Sequence, residues 1–416
     1  MTVRLRRLFL PVALVAASVA TALVVCAEGS AGLTEGLQGS VGGGLNVAVL
    51  SELGLRWRLE AGAGHCLLLK ANAEGLRLIV EAVSAGRAEW RWRIVEGAVE
   101  LDALWPVLKS ALGAKAGDWR VGGKAALSGG GVWTPSGGLT GSVRLELREA
   151  WASSAELALE LGGIEADFYC DDPAAGVLPL GQSLRVARFT AGAVTAERLE
   201  CRFGINAARV LELAFAELDV LGGRARLKPM VIPLNSTRAL AGAEVEGLAL
   251  SELAKLMPDA ISGARGKLSG QVQLLWDVEA GVRINDGGLA IVRSDDAVLR
   301  LAPMPGFLTG NLPARFAFLP AWLGPLARWT APENPAYAPL KDIEMGRSGL
   351  RIDTLAVKFY PETADGERTA TVRLTARPVG ADLIEQVTIE VNLAGALARV
   401  LELGMDKRVK LRFRGE

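Results

Sequence analysis

The sequence predicts a mostly β protein, an elongated and curled antiparallel sheet with a few short α-helices and an N-terminal apolar segment. Three observations lead to this fold class. Apolar and polar residues alternate with a period of two through most of the chain after Leu53. A phrase that contains a short helix is written twice. Of the 416 residues, 49 are glycine and half are hydrophobic, as expected for many strands joined by glycine turns.

The alternation gives each strand one apolar face and one polar face. Trp90, Trp92 and Ile94 alternate with Arg91 and Arg93, for example. One-sided strands are typical of antiparallel sheets, because parallel sheets bury both faces. The residues assigned to the apolar face, which would line a groove if the sheet curls without closing, are Trp57, Leu59, Trp90, Trp92, Val143, Leu145, Leu147, Val272, Leu274, Trp276, Ile284, Leu289, Ile291, Val372, Leu374, Val387, Ile389 and Val391.

The repeated phrase begins with Val-Glu-Gly, at Val95 and again at Val245. Each copy continues into a Leu-rich stretch that predicts a short amphipathic helix, over residues 102–112 and residues 251–257. A repeated supersecondary unit buries its apolar face against its neighbours. The repeat therefore favours an array with an extended surface over a globule with a catalytic pocket.

The ends of these two helices carry recognisable signals. Asp102 and Ser251 are predicted as the N-caps, because short polar side chains accept hydrogen bonds from the free N–H groups of the first turn. Pro258 ends the second helix. Pro106 lies inside the first helix, one position deeper than proline usually tolerates.

A third helix is predicted from Asn392 to Gly404. It contains the hexapeptide Ala398–Leu403, which also occurs at Ala208–Leu213, where the surroundings indicate a strand. Because six residues do not fix a period, only the C-terminal copy is assigned to a helix.

The N-terminal segment, residues 1–27, is a targeting segment. Arg4, Arg6 and Arg7 precede an uncharged apolar run at residues 8–25. Two fates are open: cleavage as a signal peptide, or retention as an anchor, since 18 apolar residues are just long enough to span a bilayer. Either fate exports the rest of the chain.

Three cysteines follow this segment, at Cys66, Cys170 and Cys201. In an oxidising compartment, a disulfide between Cys170 and Cys201 across neighbouring strands is one prediction. Three buried thiols are the alternative.

Several kinds of chemistry lack the residues that they need. Lys plus Arg equals Asp plus Glu at 46 each, so no basic excess indicates nucleic-acid binding. His65 is the single histidine, which is too few for a zinc site built on imidazoles and leaves a catalytic triad only this one base. The glycines at Gly42–Gly44 lack a P-loop ending. The sequence therefore predicts a protein that is not an enzyme and needs no metal, cofactor or nucleic acid.

Residues 303–340 interrupt the alternation. Eight of the 18 prolines lie there, mixed with aromatic residues, which excludes a continuous central strand. The insertion is either a lid or a packed cover over one end of the sheet. We divide the chain into the segment 1–27, a β-rich repeat region at 28–204, and a β domain at 205–416 that contains the insertion.

Four motifs follow one another in the second half. They are a double glycine before a strand that ends in proline (Leu221–Pro229), a Leu-rich helix (Val245–Leu253), a Ser-Gly hinge into a strand (Ile261–Gly270) and an Asn-Asp-Gly-Gly turn (Ile284–Leu289). In this order they resemble the YdbH-type domain, also named the dicarboxylate transport domain, of the AsmA-like superfamily of bridge-like lipid transporters. The resemblance is clear over residues 205–301 and weaker beyond them. In the N-terminal half, only the general pattern of strands and turns is similar.

This resemblance implies intermembrane phospholipid transport, or outer-membrane lipid homeostasis, in a Gram-negative envelope. It implies a periplasmic protein that is anchored in the inner membrane by its N-terminal segment, with a cleaved and soluble form as the alternative. A phospholipid would be the cargo, with acyl chains in a groove lined by the apolar-face residues and head groups in water. A small outer-membrane lipoprotein would be the partner at the far end.

The residues themselves leave a second architecture open. If the apolar faces pack against each other in a sandwich or solenoid, the core is dry and the protein is an envelope assembly or scaffold protein without lipid cargo. Periodicity alone does not separate the two, but the repeats favour the elongated trough.

Overall fold

The computed structural model describes the following residues: 38–40, 56–62, 66–86, 89–112, 117–134, 136–156, 158–172, 177–277, 281–291, 296–316, 332–361, 368–380, 384–394 and 406–413. Within them the protein is mostly β, with antiparallel strand pairs and a few short helices, which confirms the predicted fold class. The targeting segment and His65 lie outside these residues. Where the chain is described, no helix is both long and apolar enough to cross a bilayer.

The elements follow one another along the chain in two groups. The first group comprises β1 (Gln38–Ser40), β2 (Arg56–Gly62), β3 (Cys66–Ala73), β4 (Leu76–Gly86), β5 (Glu89–Glu100), α1 (Leu101–Leu112), β6 (Arg120–Thr134), β7 (Gly138–Ser154), β8 (Leu159–Cys170), β9 (Leu178–Ala191), β10 (Val194–Ile205) and β11 (Val210–Val220). The second group comprises β12 (Gly223–Leu227), β13 (Met230–Pro233), β14 (Arg238–Ala249), α2 (Leu250–Leu256), β15 (Ile261–Arg265), β16 (Lys267–Asp277), β17 (Gly281–Ile291), β18 (Val298–Leu301), α3 (Tyr337–Glu344), β19 (Leu350–Phe359), β20 (Arg368–Pro378), β21 (Ile384–Ala394) and β22 (Asp406–Phe413).

The chain forms two compact units. Unit 1 comprises the residues up to Leu218 together with Lys228–Ala239, and unit 2 comprises Asp219–Leu227 and the residues from Leu240 onward. In unit 1, strands β1 to β10 form a meander in which each strand pairs antiparallel with the next. Strand β11 pairs with β13. Short connections and one-sided strands explain this topology, because a hairpin is the simplest way to continue a sheet with one buried face.

Unit 2 has a less sequential strand order. Strand β12 pairs with β14, which pairs with β16, and the sheet continues through β17, β19, β20, β21 and β22. Strands β15 and β18 pair with each other. Strand β18 also pairs with the beginning of β19. The insertion at 303–340 lies between β18 and β19 in the sequence, so the chain leaves the sheet there and returns to it.

Each unit has an apolar core on one face of its strands, which we call the inner face. In unit 1, Trp92, Leu127 and Val143 belong to the cluster on β3 to β7, and α1 contributes Leu104. A second apolar cluster lies on β8 to β11, and Phe168 packs against its buried residues. In unit 2 one cluster unites β14 to β21 with α2 and α3.

A line of left-handed residues crosses unit 1. Gly123 in β6 (φ +115°), Glu149 in β7 (φ +51°), Gly163 in β8 (φ +63°) and Arg198 in β10 (φ +51°) have positive φ. The registers of β6–β7 and β7–β8 shift at this level. Bulges increase the local twist and bend the strands that carry them. The aligned bulges therefore form a transverse bend, which we call the crease.

The two repeated helices are confirmed as α1 and α2, and Pro106 lies inside α1 as expected. The predicted caps are wrong. Helix α1 begins at Leu101, and the Asp102 carboxylate instead accepts a hydrogen bond from the Gly123 N–H of β6 at 2.8 Å. Helix α2 begins at Leu250 after Ala249, which makes no side-chain cap. The Leu250 N–H donates to the Gly266 carbonyl at 3.0 Å, so a neighbouring backbone group replaces the cap.

The third predicted helix does not begin at Asn392. That residue lies in β21, opposite Thr371, and the strand continues to Ala394. Cross-strand pairing to β20 therefore overrides the local helical pattern. Residues 395–404 of the predicted helix lie outside the described residues. The second copy of its hexapeptide, at Ala208–Leu213, runs into strand β11, as its surroundings indicate.

The described parts of the insertion are packed. Leu308 and Leu340 belong to the unit 2 core, as does Ile343 just after the insertion, and Leu340 and Ile343 are 0% and 1% exposed. Such burial supports the packed-cover interpretation for these parts, because releasing them would expose large aliphatic side chains to water. Residues 317–331 lie outside the described residues.

A buried carboxylate ties the insertion to α3. Glu344, only 2% exposed, ends the helix. Its Oε2 accepts hydrogen bonds from the N–H groups of Leu308 (3.0 Å) and Thr309 (3.1 Å), and its Oε1 accepts one from Thr309 Oγ1 (2.7 Å). Burial raises the pKa of Glu344, but these hydrogen bonds outweigh it and hold the pKa below its usual range.

The crease predicts the effect of glycine at Glu149. A left-handed conformation costs a residue with a side chain roughly 1–2 kcal/mol, so Glu149→Gly should leave stability unchanged or raise it by up to ~1 kcal/mol. Glu197→Gly is the matched control, since Glu197 is an exposed glutamate in β10 without positive φ. It should lower stability by ~1 kcal/mol. Denaturant unfolding of both variants measures the difference, and equal losses would contradict the crease.

The Glu344 network predicts acid sensitivity in unit 2. Since its folded pKa is depressed, its contribution to stability is complete above the unfolded pKa of about 4.3 and is lost as pH falls through the lower folded pKa. Thr309→Val removes one donor and should cost ~1–3 kcal/mol at neutral pH. It should also make the acid loss smaller. Thr309→Ser keeps the hydroxyl and should behave like the parent in unfolding measured from pH 7 to pH 3.

Candidate functional site

The inner face of unit 1 carries an unbroken row of apolar residues that runs across eight strands. In the register, each member stands opposite the next, from β3 to β10. Seven strand spacings of ~4.8 Å give a row of about 34 Å along the sheet. We call it the unit 1 row, and its members are Ala73, Leu76, Val99, Ala125, Leu147, Ala166, Leu184 and Cys201.

Unit 2 has a shorter row of the same kind. It crosses β16, β17, β19, β20 and β21, over about 19 Å. We call it the unit 2 row, and its members are Gly270, Leu289, Val357, Val372 and Val391.

The predicted groove residues on β5 and β7 share the inner face of unit 1. Trp90 stands opposite Trp133, Trp92 opposite Gly131, and Leu147 lies in the unit 1 row. Trp92 and Val143 are buried, whereas Trp90, Leu145 and Leu147 are half-buried. Trp57 and Leu59 lie in β2, opposite Ala71 and Leu69 in the register.

The predicted groove residues of unit 2 divide by burial. The register places Leu289, Val372 and Val391 in the unit 2 row. The buried members are Val272, Leu289, Leu374, Val387 and Ile389, and the half-buried members are Leu274, Trp276, Ile284, Ile291, Val372 and Val391. All of them except Trp276 belong to the unit 2 core or pack against it.

Sequence reasoning missed strand β19. Its Leu355 and Val357 stand opposite predicted residues of β17 and β20, and together with Phe359 they complete the inner face between these strands. Their alternation with Ala356 and Lys358 is visible in the sequence. A bulge between Ile352 and Thr354 breaks the period just before them, which obscures the strand in the sequence pattern.

The inner face is therefore partly core and partly surface. Val387, at 0% exposed, and Trp92, at 3%, are sealed. Half-buried members of the rows, such as Leu147, Leu184 and Val372, still offer apolar area to another molecule. Because nothing polar interrupts either row, this surface is chemically compatible with an aliphatic chain.

Glycines shape the inner face beside Trp92. Gly131, directly opposite Trp92, has no side chain, and a Cβ there would lie 2.0 Å from the Thr140 carbonyl oxygen. The Trp92 indole N–H reaches across to donate to that oxygen at 3.3 Å. Only glycine leaves room for this close approach of strands and ring.

The outer face is charged and self-paired. Arg144 donates to Asp167 at 2.7 Å, and Arg373 lies 3.0 Å from Glu390. Arg144 lowers the pKa of Asp167 through this hydrogen bond. Exposed pairs of this kind contribute little stability, but they keep this face in water.

The predicted disulfide between Cys170 and Cys201 is wrong, and both are free thiols. Cys201 stands opposite Leu184 of β9, which stands opposite Ala166 of β8. The two cysteines are thus two strands apart, about 10 Å, and offset along the strands, beyond the reach of a disulfide. Burial raises the pKa of Cys170, and raises that of Cys201 to about 11. Neither thiol is a nucleophile at neutral pH.

The described residues contain no cluster of three or more His, Cys, Asp or Glu side chains that could hold a metal ion. Residues 67–319, more than half of the chain, match the family model described as YdbH-like, intermembrane phospholipid transport protein YdbH. The chain belongs to the YdbH-like family. No curated protein and no solved structure gives a match. The YdbH-like family is one of lipid transport proteins rather than enzymes.

The YdbH-like match also corrects the extent of the resemblance. It reaches back to Leu67 in β3, well beyond the boundary near residue 205, and it ends inside the insertion. Both copies of the repeated phrase lie within it.

Proposed function

We propose that the chain moves phospholipids between membranes of a Gram-negative envelope, with acyl chains lying on the unit 1 row and the unit 2 row. The observation that carries the proposal is the continuity of the unit 1 row over eight strands. Membership of the YdbH-like family supports phospholipid as the cargo.

The energetics favour an acyl chain as occupant. Removing a methylene group from water is worth about 0.8 kcal/mol. A chain on half-buried residues such as Leu147, Leu184 and Val372 would shield its own methylenes and their exposed area together. The phosphate and head group would stay in water at the rim, since burying a charge without a partner is costly.

The location follows from the proposed activity. The apolar run at residues 8–25 would anchor the protein in the inner membrane, and a cleaved periplasmic form is the alternative. A small outer-membrane lipoprotein would be the partner at the receiving membrane. Fractionation of cells into membrane and soluble parts distinguishes the two forms.

A scaffold without cargo is the second candidate. It is favoured by the tight packing in unit 2, where Leu340 and Ile343 of α3 and Leu350 of β19 are almost completely buried. In that case the inner face is core throughout, and the protein would act through its strands and charged outer face.

Photocrosslinking tests the cargo with one-residue resolution. A benzophenone amino acid in place of Leu184 would lie within the unit 1 row on the inner face. One in place of the adjacent Arg185, whose side chain pairs with Glu200 at 3.6 Å, would lie on the outer face. Because successive residues of a strand alternate faces, we expect phospholipid adducts in cells at Leu184 and none at Arg185. Leu274 in unit 2 offers a second inner position. Crosslinks to protein and none to phospholipid at Leu184 and Leu274 would contradict the cargo proposal.

Lipid content tests the same point without a crosslinker. Leu184→Glu places a carboxylate in the unit 1 row and should lower the phospholipid that copurifies with the full chain at least fivefold, measured by mass spectrometry. Arg185→Glu puts the same side chain on the outer face and should retain the lipid. If the parent protein carries no lipid, the scaffold function stands instead. Thermal unfolding of both variants shows whether a loss reflects misfolding.

A further inference from the structure

Among the described residues, three neighbouring arginines on the outer face of unit 2 lack the ion pairs that many exposed arginines of the chain make. Several outer-face arginines contact carboxylates of neighbouring strands, as Arg93 does Glu81, Arg185 does Glu200, and Arg373 does Glu390. Arg265, Arg300 and Arg351 differ, because each is exposed and, within the described part of the chain, makes no ion pair. A fourth, Arg377, is bound to Asp353 at 2.6 Å.

The strand register brings these four arginines together. Arg265 of β15 stands opposite Val298 of β18, Val298 stands opposite Arg351 of β19, and Arg351 stands opposite Arg377 of β20. Arg300 lies two residues beyond Val298 on the same face. We call Arg265, Arg300, Arg351 and Arg377 the arginine patch. It crosses four strands, about 14 Å.

The arginine patch works against stability. Like charges directly opposite in a sheet are destabilising, and Arg351 faces Arg377 in this way. The described carboxylates on these strands or just before them are Asp259, Asp296 and Asp353, so four positive charges meet three negative ones. The whole chain has zero net charge, so the local excess is not a consequence of a basic composition.

We propose that the arginine patch docks the protein on a membrane surface that carries anionic phospholipids. Guanidinium groups match the geometry of phosphate oxygens, and Arg binds them in bidentate fashion. The outward side of a sheet presents the four side chains to a broad surface rather than to a pocket. The patch lies on the face opposite the unit 2 row, so docking and cargo binding use different residues, and neither depends on the other.

The expected strength follows from membrane electrostatics. Each basic residue near an anionic surface strengthens binding about fivefold, and the attraction fades within a Debye length of about 10 Å at 0.1 M salt. Removing three arginines should therefore weaken binding by at least tenfold, and by up to about a hundredfold if the contributions add. Added salt should have a similar effect on the parent.

Vesicle binding of the full chain tests the proposal. The triple variant Arg265→Gln, Arg300→Gln and Arg351→Gln is compared with a control triple, Arg144→Gln, Arg185→Gln and Arg373→Gln, which removes paired arginines from the same kind of face. The vesicles are pure phosphatidylcholine, or phosphatidylcholine with one third phosphatidylglycerol. The apolar run at residues 8–25 is present in every sample, so the comparison isolates the arginines.

The parent and the control triple should bind the anionic vesicles more tightly than the neutral ones and lose the difference at high salt. The patch triple should bind both alike. Equal binding of all three proteins to the anionic vesicles would overturn the proposal. A parent protein that shows no preference for anionic vesicles would also overturn it, and would leave an acidic protein as the partner of the patch. Single variants, each expected to lose about fivefold, keep the test valid if the triple does not fold. Lipid content of the patch triple should stay normal, so a failure in vesicle binding is separable from a failure of the cargo proposal.

Discussion

Most strands whose side chains are described have one apolar face that must leave water, and the rest of the structure follows from how that surface is hidden. A second sheet is one solution and a curl of the same sheet is another. Register carries the constraint, because a slip of one residue would turn each apolar row outward. The unit 1 row is intact over eight strands, so the register is kept through every turn of the meander and past the aligned bulges.

The constraint also explains which parts of the molecule could be predicted from the sequence. A period of two is a local pattern, so the strands, the inner positions of Trp92, Val272 and Leu374 and the β class were all accessible. The repeated Leu-rich phrase likewise showed both helices. What failed depends on neighbours that the sequence does not display. Asp102 binds Gly123 of another strand instead of capping its helix, and Cys170 and Cys201 are separated by a strand inserted between them.

The inner and outer faces of the strands differ in the charges that they carry. On the inner face the rows contain no charge, so an aliphatic molecule meets no desolvated polar group. On the outer face cross-strand pairs such as Arg144 with Asp167 cancel locally and leave little field at a distance. Three of the four arginines of the arginine patch lack this cancellation, so unit 2 has a direction of electrostatic attraction although the chain as a whole is neutral.

The uniformity of the unit 1 row has a kinetic consequence. Its members are aliphatic or small from one end to the other, so a bound hydrocarbon tail finds nearly the same contact energy at each strand. Under the proposed function, displacement by one strand spacing would cross only a low barrier, and the surface would act as a track for one-dimensional diffusion rather than as a binding site. Such a track has no preferred sense of travel. Net flux would be imposed from its two ends, by the supply of molecules at one and their removal at the other.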